Sequence, residues 1–162
     1  HIAQKKAIYM RYKEGFKGLP VSMNPYDPNV CEPNFWLSCL LIDPDAMCKQ
    51  VRGESEALYV SVPGKSCPTE ILEAIAAINA EGPIWKPMHM QPIYRMNAFV
   101  TREGNGRAKT NAYISGGATG TDGLPLDVGA DIFHRGLCLP SDNKMTPEQQ
   151  DVIIEVIRRC FE

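Results

Sequence analysis

No apolar run in the sequence approaches the roughly 20 residues that a membrane-spanning helix needs, and charge of neither sign is concentrated anywhere. Seventeen Lys and Arg stand against nineteen Asp and Glu, a formal net charge of −2. Without a basic tract, an acidic tail or aromatics interleaved with arginines, nucleic acid is not an expected partner. Neither the G-x-x-x-x-G-K-[ST] phosphate loop nor the G-x-G-x-x-G turn occurs. The six cysteines, at 31, 39, 48, 67, 138 and 160, include no C-x-x-C pair, so the close ligand spacing of a structural zinc site is missing. An even count allows three disulfides. Yet 162 residues with 44% hydrophobic content can build a core without staples. Cys39, Cys138 and Cys160 lie in apolar runs, where thiols behave as small hydrophobes. Free thiols in a soluble, cytoplasmic protein are the expectation.

What is present is concentrated between Pro83 and Tyr94. Pro83, Pro87 and Pro92 each fix their own φ and push the preceding residue out of helical space, so the segment reads as extended and stiff. The missing donors exclude it from the centre of a sheet. Along it stand Trp85, Lys86, His89, Gln91 and Tyr94: an aromatic face, a cation, an imidazole, an amide and a phenol. Such a rod presents polar groups at low entropic cost, as a binding surface should. An ordinary proline-rich connection with a half-buried Trp85 is the plainer reading, and composition leaves it open. Further on, Thr101 to Pro125 holds six of the thirteen glycines together with Arg102, Arg107 and Lys109. A loop this long is functional or disordered. Amides in glycine-rich turns can cradle phosphate, and disorder is an equal alternative.

The hydrophobic pattern predicts the elements around these segments. His1 to Phe16 reads as an amphipathic helix, with Ile8, Tyr9, Tyr12 and Phe16 on one stripe and with Gly15 and Gly18 ending it. No Ser, Thr, Asp or Asn precedes it, so the helix is expected to continue from a segment before His1. Leu19–Met23 reads as a short strand and Phe35–Ile42 as a strand buried on both faces. Ala57–Val62 reads as a strand or extended edge. Pro68 opens a helix capped by Ser66 or Cys67, with Ile71, Leu72, Ile75 and Ile78 inward and Gly82 as its left-handed stop. Ile84–Trp85 is expected to be a short strand. Asp127–His134 is expected as a helix with Val128, Ile132 and Phe133 inward, closed by Gly136, before a buried strand at Leu137–Leu139. In the last helix Thr146, Pro147 and Gln149 make a capping box, and Val152, Ile153, Val156, Ile157 and Cys160 form the stripe. Strands and helices in this order predict an α/β, α+β-like sandwich.

Three blocks carry a resemblance: Trp85 to Tyr94 (WKPMHMQPIY), Ile132 to Ser141 (IFHRGLCLPS) and Met145 to Ile154 (MTPEQQDVII). With Ala7 to Tyr12 and Asn34 to Leu37, in this order, they resemble the carboxy-terminal domain of the DegT/DnrJ/StrS sugar aminotransferases. The resemblance runs end to end except near 45–66 and 101–126, which read as insertions. It implies the small domain of the aspartate-aminotransferase (fold type I) architecture, a short, mostly antiparallel sheet covered by helices. Residues 1–18 would be a linking helix, truncated at its start, and 19–162 the small domain.

The family's members pass an amino group, commonly from glutamate, to a nucleotide-linked keto-sugar for polysaccharide, glycan or antibiotic synthesis. A Schiff-base lysine and pyridoxal 5′-phosphate lie in the large amino-terminal domain of the same chain, and homodimers are implied. None of the nine lysines here stands in such a motif. The resemblance therefore implies that this piece alone binds no cofactor, holds no catalytic residue and is inactive. Its role would be substrate binding. Lys86 would meet a diphosphate, Trp85 or Tyr94 would pack on a sugar or base, and His89 and Gln91 would hydrogen-bond hydroxyls or phosphate. Relatives often carry Arg where Gly82 stands, so Arg107 or Arg102 would replace that contact. The rival reading is a non-catalytic nucleotide- or glycan-binding module using the rod and the glycine-rich loop. A regulatory relative lacking the lysine is a third. An upstream reading frame with a Schiff-base lysine separates the first from the second.

Overall fold

A computed structural model describes residues 1–52, 56–91 and 128–162. The chain divides into two compact parts, His1–Pro83 with Arg135–Glu162, and Ile84–His134. The core of the first part lies where helices meet one antiparallel sheet. Helix α1 (Ile2–Gly15) lays Ile8, Tyr9 and Tyr12 inward, followed by buried Phe16, and Gly18 turns the chain at φ +84°. Burial of two tyrosines requires partners for their hydroxyls. Tyr9 donates to the Asn24 carbonyl at 2.7 Å and Tyr12 to that of Pro140 at 2.8 Å.

The sheet has the order β1 (Val21–Met23), β2 (Ser38–Ile42), β5 (Gly136–Leu139), antiparallel throughout. In register, Leu40 faces Leu137 and Cys39 faces Cys138. The apolar run that predicts a strand from Phe35 is divided in three. Phe35 has φ +54°, and the Trp36 amide donates to the Asn34 side chain at 3.0 Å, so the backbone turns there. The Phe35 ring packs with Tyr9 and Tyr26 at centroid distances of 5.4 and 5.0 Å, Trp36 is exposed, and pairing starts at Ser38. Along β2, Ser38, Leu40 and Ile42 are buried while Cys39 and Leu41 are half-buried. The two faces are thus unequally covered, contrary to the pattern's suggestion.

A second, two-stranded sheet pairs β3 (Gln50–Arg52) with β4 (Ala57–Tyr59). Its base is tied by Cys48 N–H to the Ser66 carbonyl (2.9 Å) and Ser66 N–H to that of Ala46 (3.0 Å). Helix α2 (Pro68–Ala76) then buries Ile71 and Ile75. Cys67 occupies its cap position without a side-chain bond. Its left-handed stop is Asn79, φ +58°, and not Gly82. Asn79 N–H donates to Ala76 and Ala80 N–H to Ile75, the paired bonds of a Schellman motif, which Asn tolerates. Ile78, just before that turn, is exposed. Gly82 serves close approach instead: a β-carbon there would strike the Cys138 carbonyl and lie 3.2 Å from Leu72.

Helix α3 (Val128–Arg135) runs straight into β5, so Gly136 begins a strand where a helix closure was expected. Val128 and Ile132 are 71% and 52% exposed and do not point inward. An eight-residue stripe identifies a face but not what covers it. The buried residue is Arg135, whose guanidinium donates to the Ile42 carbonyl. Helix α4 (Pro147–Arg159) has the expected capping box: Thr146 Oγ1 accepts from Gln149 N–H and the Gln149 side chain accepts from Thr146 N–H. Its inward face is rotated, however, with Gln150, Ile153, Ile154 and Ile157 buried and Val152 exposed. Gln150 goes in because its amide reaches the Ile8 carbonyl at 2.7 Å. Against it Gly15 gives Ile154 room, with a β-carbon position only 2.7 Å from Ile154 Cδ1. α4 contacts both α1 and α2, and α1 contacts β2. No helix among the described residues is long and apolar enough to cross a membrane.

Candidate functional site

The proline-rich segment leaves the first part of the chain at Pro83, whose carbonyl accepts from Cys138 N–H at 2.9 Å. That single bond is what stands where a strand at Ile84–Trp85 was expected; the two residues join no ladder. In the second part the rod is interrupted by one turn of 3-10 helix at Met88–Met90. Pro87 sits before it with φ −54° and ψ 142°, and Met90 N–H and Gln91 N–H close it onto Pro87 and Met88 at 2.9 and 3.0 Å. Proline rigidity sets the backbone on one side of a bend, so the segment is stiff but not extended throughout.

This bend decides where the side chains go. The Gln91 amide folds back toward the Lys86 carbonyl at 3.5 Å, so the structure brings Lys86 and Gln91 together through the backbone. Lys86 is half-buried, while Trp85 and Met88 are 63% and 70% exposed. Trp85 therefore does not anchor the core of the described residues, and its indole face is exposed there. The backbone of His89 lies in the 3-10 turn. Tyr94, Arg107 and the glycine-rich interval 101–126 lie outside the described residues.

Two other features lay beyond sequence reasoning. An open depression of about 790 Å³ is lined by Ile78, Glu81, Ser141, Lys144, Gln149 and Val152 among others. It is formed where the turn after α2 meets the segment leading from Pro140 into α4, two stretches that come together only in the fold, and no motif marks it. The second is Cys48, Cys67 and Glu70, whose ligand atoms all lie within 4.8 Å of one another. The spacing of 48 and 67 hides what the tied base of the β3–β4 hairpin brings together. Glu70 accepts from Ser61 and Ser66, each at 2.8 Å. Burial pushes the Cys48 thiol up to about 12, and its hydrogen bond to Cys67 adds to this. The Arg52 guanidinium is lowered to about 10 by desolvation, against the pull of Cys67.

A pyridoxal-phosphate site needs a lysine amine set beside groups that hold the ring and its phosphate. Among the described lysines Lys5 and Lys86 are half-buried and the others are exposed. Lys5 is turned to the Ser141 carbonyl, Lys6 lies over the rings of Tyr26 and Phe35, and Lys17 pairs with Glu14 at 2.7 Å. Lys5, Lys6 and Lys17 are thus each engaged within the described residues.

No protein-family model matches the chain. It is 29% identical over 163 residues to EpsN of Bacillus subtilis, provisionally named a pyridoxal phosphate-dependent aminotransferase; the match covers 99% of this chain and 31% of EpsN. Its fold is shared with Spr1654 of Streptococcus pneumoniae, provisionally named a sugar aminotransferase, in its pyridoxal-phosphate form (TM-score 0.60, 16% identity, 99% of this chain and 31% of that one). It is shared likewise with a DegT DnrJ EryC1 StrS aminotransferase from Brucella abortus (TM-score 0.55, 19% identity, 98% and 31%). The resemblance to the carboxy-terminal domain of these aminotransferases holds, as does the α+β fold with its antiparallel sheet and covering helices. The chain spans about a third of the length of the relatives it matches.

Proposed function

We propose that this chain is the small domain of a larger pyridoxal-phosphate-dependent aminotransferase. In this reading the whole polypeptide moves an amino group from glutamate to a nucleotide-linked keto-sugar, as a cytoplasmic homodimer supplying surface polysaccharide or glycan synthesis. The observation that carries it is the similarity along 99% of the chain to an aminotransferase of which it covers 31%. Pyridoxal phosphate, bound by residues outside 1–162, supplies the electron sink. What this domain contributes is one wall of the substrate cleft, built on the bent proline rod. Exposed Trp85 packs on a sugar or base, and Lys86 and His89 meet the phosphates and hydroxyls. Gln91, through its contact with the Lys86 carbonyl, holds the bend that presents them. Tyr94 and Arg107, outside the described residues, are assigned to substrate binding on the resemblance alone. The domain by itself transfers no amino group.

The test supplies the intact polypeptide with pyridoxal phosphate, glutamate and a panel of nucleotide-linked keto-sugars, and follows 2-oxoglutarate and amino-sugar by mass spectrometry. Formation of both in equal amounts is the expected result. Saturable binding of a nucleotide sugar without turnover would replace this reading with the non-catalytic module.

A further inference from the structure

Cys39 and Cys138 stand directly opposite each other on the paired strands β2 and β5, with their sulfurs 3.7 Å apart. Their backbone groups point away from one another. Cys39 N–H bonds the Asn24 side chain at 2.9 Å, its carbonyl accepts from Asn24 N–H, and Cys138 N–H bonds Pro83. They are therefore a non-hydrogen-bonded antiparallel pair, the register in which backbones approach most closely, at about 4.5 Å between Cα atoms. That spacing lies at the short end of the range a disulfide spans. Neither sulfur is in a disulfide, Cys138 is buried, and Cys39 is half-buried and so open to small oxidants.

We propose that Cys39 and Cys138 are a modification site: a dithiol that closes to a cross-strand disulfide when it meets a hydroperoxide. The Cys39 thiolate attacks the terminal oxygen of the hydroperoxide and breaks its O–O bond, giving a sulfenic acid and releasing the alcohol, or water when the oxidant is hydrogen peroxide. The Cys138 sulfur then attacks the sulfenic sulfur, forming the S–S bond and expelling water. The two sulfurs together lose two electrons, which reduce one O–O bond. A small dithiol or thiol reductant reverses the step by exchange. The supporting electrostatics agree, since the hydrogen bond from Cys138 brings the Cys39 thiol down to about 7 against the opposing effect of burial. No other sulfur pair combines strand register with a half-buried partner among the described residues. The site also has a structural address. The Cys138 amide holds Pro83, the residue that leads into the proline rod, so the bond would form one residue step from the root of the candidate substrate wall.

The experiment exposes the intact polypeptide, fully reduced, to a small excess of hydrogen peroxide, blocks remaining thiols with an alkylating reagent, and maps the peptides without reduction. The expected result is a peptide pair joined through Cys39 and Cys138, a loss of two titratable thiols per chain, and full recovery of both after dithiothreitol. Cys31→Ser should leave the linked pair unchanged, and Cys138→Ser should abolish it while Cys39 is trapped as sulfenic acid. The proposal is overturned if Cys39 is recovered alkylated, ends as sulfinic acid with Cys138 still a thiol, or is found joined to Cys31. Because the decisive map is made on the unmutated protein, misfolding of a variant does not blur the outcome.

Discussion

The carbonyl oxygen of Cys138 occupies the space where a β-carbon on Gly82 would stand. Both groups are backbone-anchored, one on β5 and the other on the chain leaving α2, so neither can swing aside as a side chain would. Leu72 and Ile75 close the same space at 3.2 and 3.3 Å. Gly82→Ala should therefore cost about 1–3 kcal/mol, the range for overpacking a filled site. A lowered denaturant midpoint with an unchanged slope would register it. An unaltered midpoint would mean that the strand end shifts freely.

The six thiols should differ in reactivity with pH. Alkylation of Cys39 is expected to rise with pH and reach half its maximum near 7, the value to which the Cys138 hydrogen bond lowers it. Burial raises Cys48 to about 12 and Cys160 to about 11, so both should resist the reagent at pH 8. Cys138→Ala should move the Cys39 midpoint upward. Mass-spectrometric labelling rates across pH 5.5 to 9 read this out, and a Cys39 midpoint that ignores Cys138 would contradict the assignment.

Part of this is legible in the sequence. The capping box of α4 is readable because Thr146, Pro147 and Gln149 each have one strong local preference, and the fold honours all three. The buried stripe of the same helix differs by one step from its apolar pattern, since Gln150 looks polar in sequence and is buried only because the Ile8 carbonyl awaits it 142 positions away. Gly82 reads as a left-handed turn because that is a glycine's commonest reason to follow a helix. Its actual reason, the Cys138 carbonyl, is a tertiary fact. For the candidate site, three prolines announce a constrained segment and its likeness to the aminotransferases. The 3-10 turn that tips Gln91 back onto Lys86 is not legible, because proline restricts its neighbours without dictating a bend.

Acid should loosen the contact between α1 and α4. Arg11 and Asp151 make a two-pronged pair, with Nε to Oδ1 at 2.8 Å and Nη2 to Oδ2 at 2.5 Å. The Arg11 hydrogen bond holds the Asp151 carboxyl below its ordinary value. A lowered carboxylate contributes stability that is present above its unfolded-state value and lost as pH falls through the folded one. Both side chains are solvent-accessible, so the effect is small and screened by salt. Arg11→Gln should raise the Asp151 titration midpoint seen by carboxyl NMR; an unmoved midpoint would show the pair to be absent in solution.

A substrate wall on the proline rod has kinetic consequences. In the intact enzyme His89→Ala and Trp85→Ala should each raise KM for the nucleotide sugar several-fold, leaving kcat for the half-reaction with the amino donor unchanged. Such a split marks binding that does not discriminate ground from transition state. Unchanged kinetics for both variants would remove the rod from the cleft.

The most direct measurement is to reduce the intact polypeptide with borohydride in the presence of pyridoxal phosphate and locate the modified lysine by peptide mapping. One cofactor per polypeptide, fixed to a lysine outside residues 1–162, is the outcome expected of a small domain whose reactive centre lies elsewhere in the chain. A stoichiometric adduct on one of the nine lysines of this chain, or no adduct on any lysine, would contradict it.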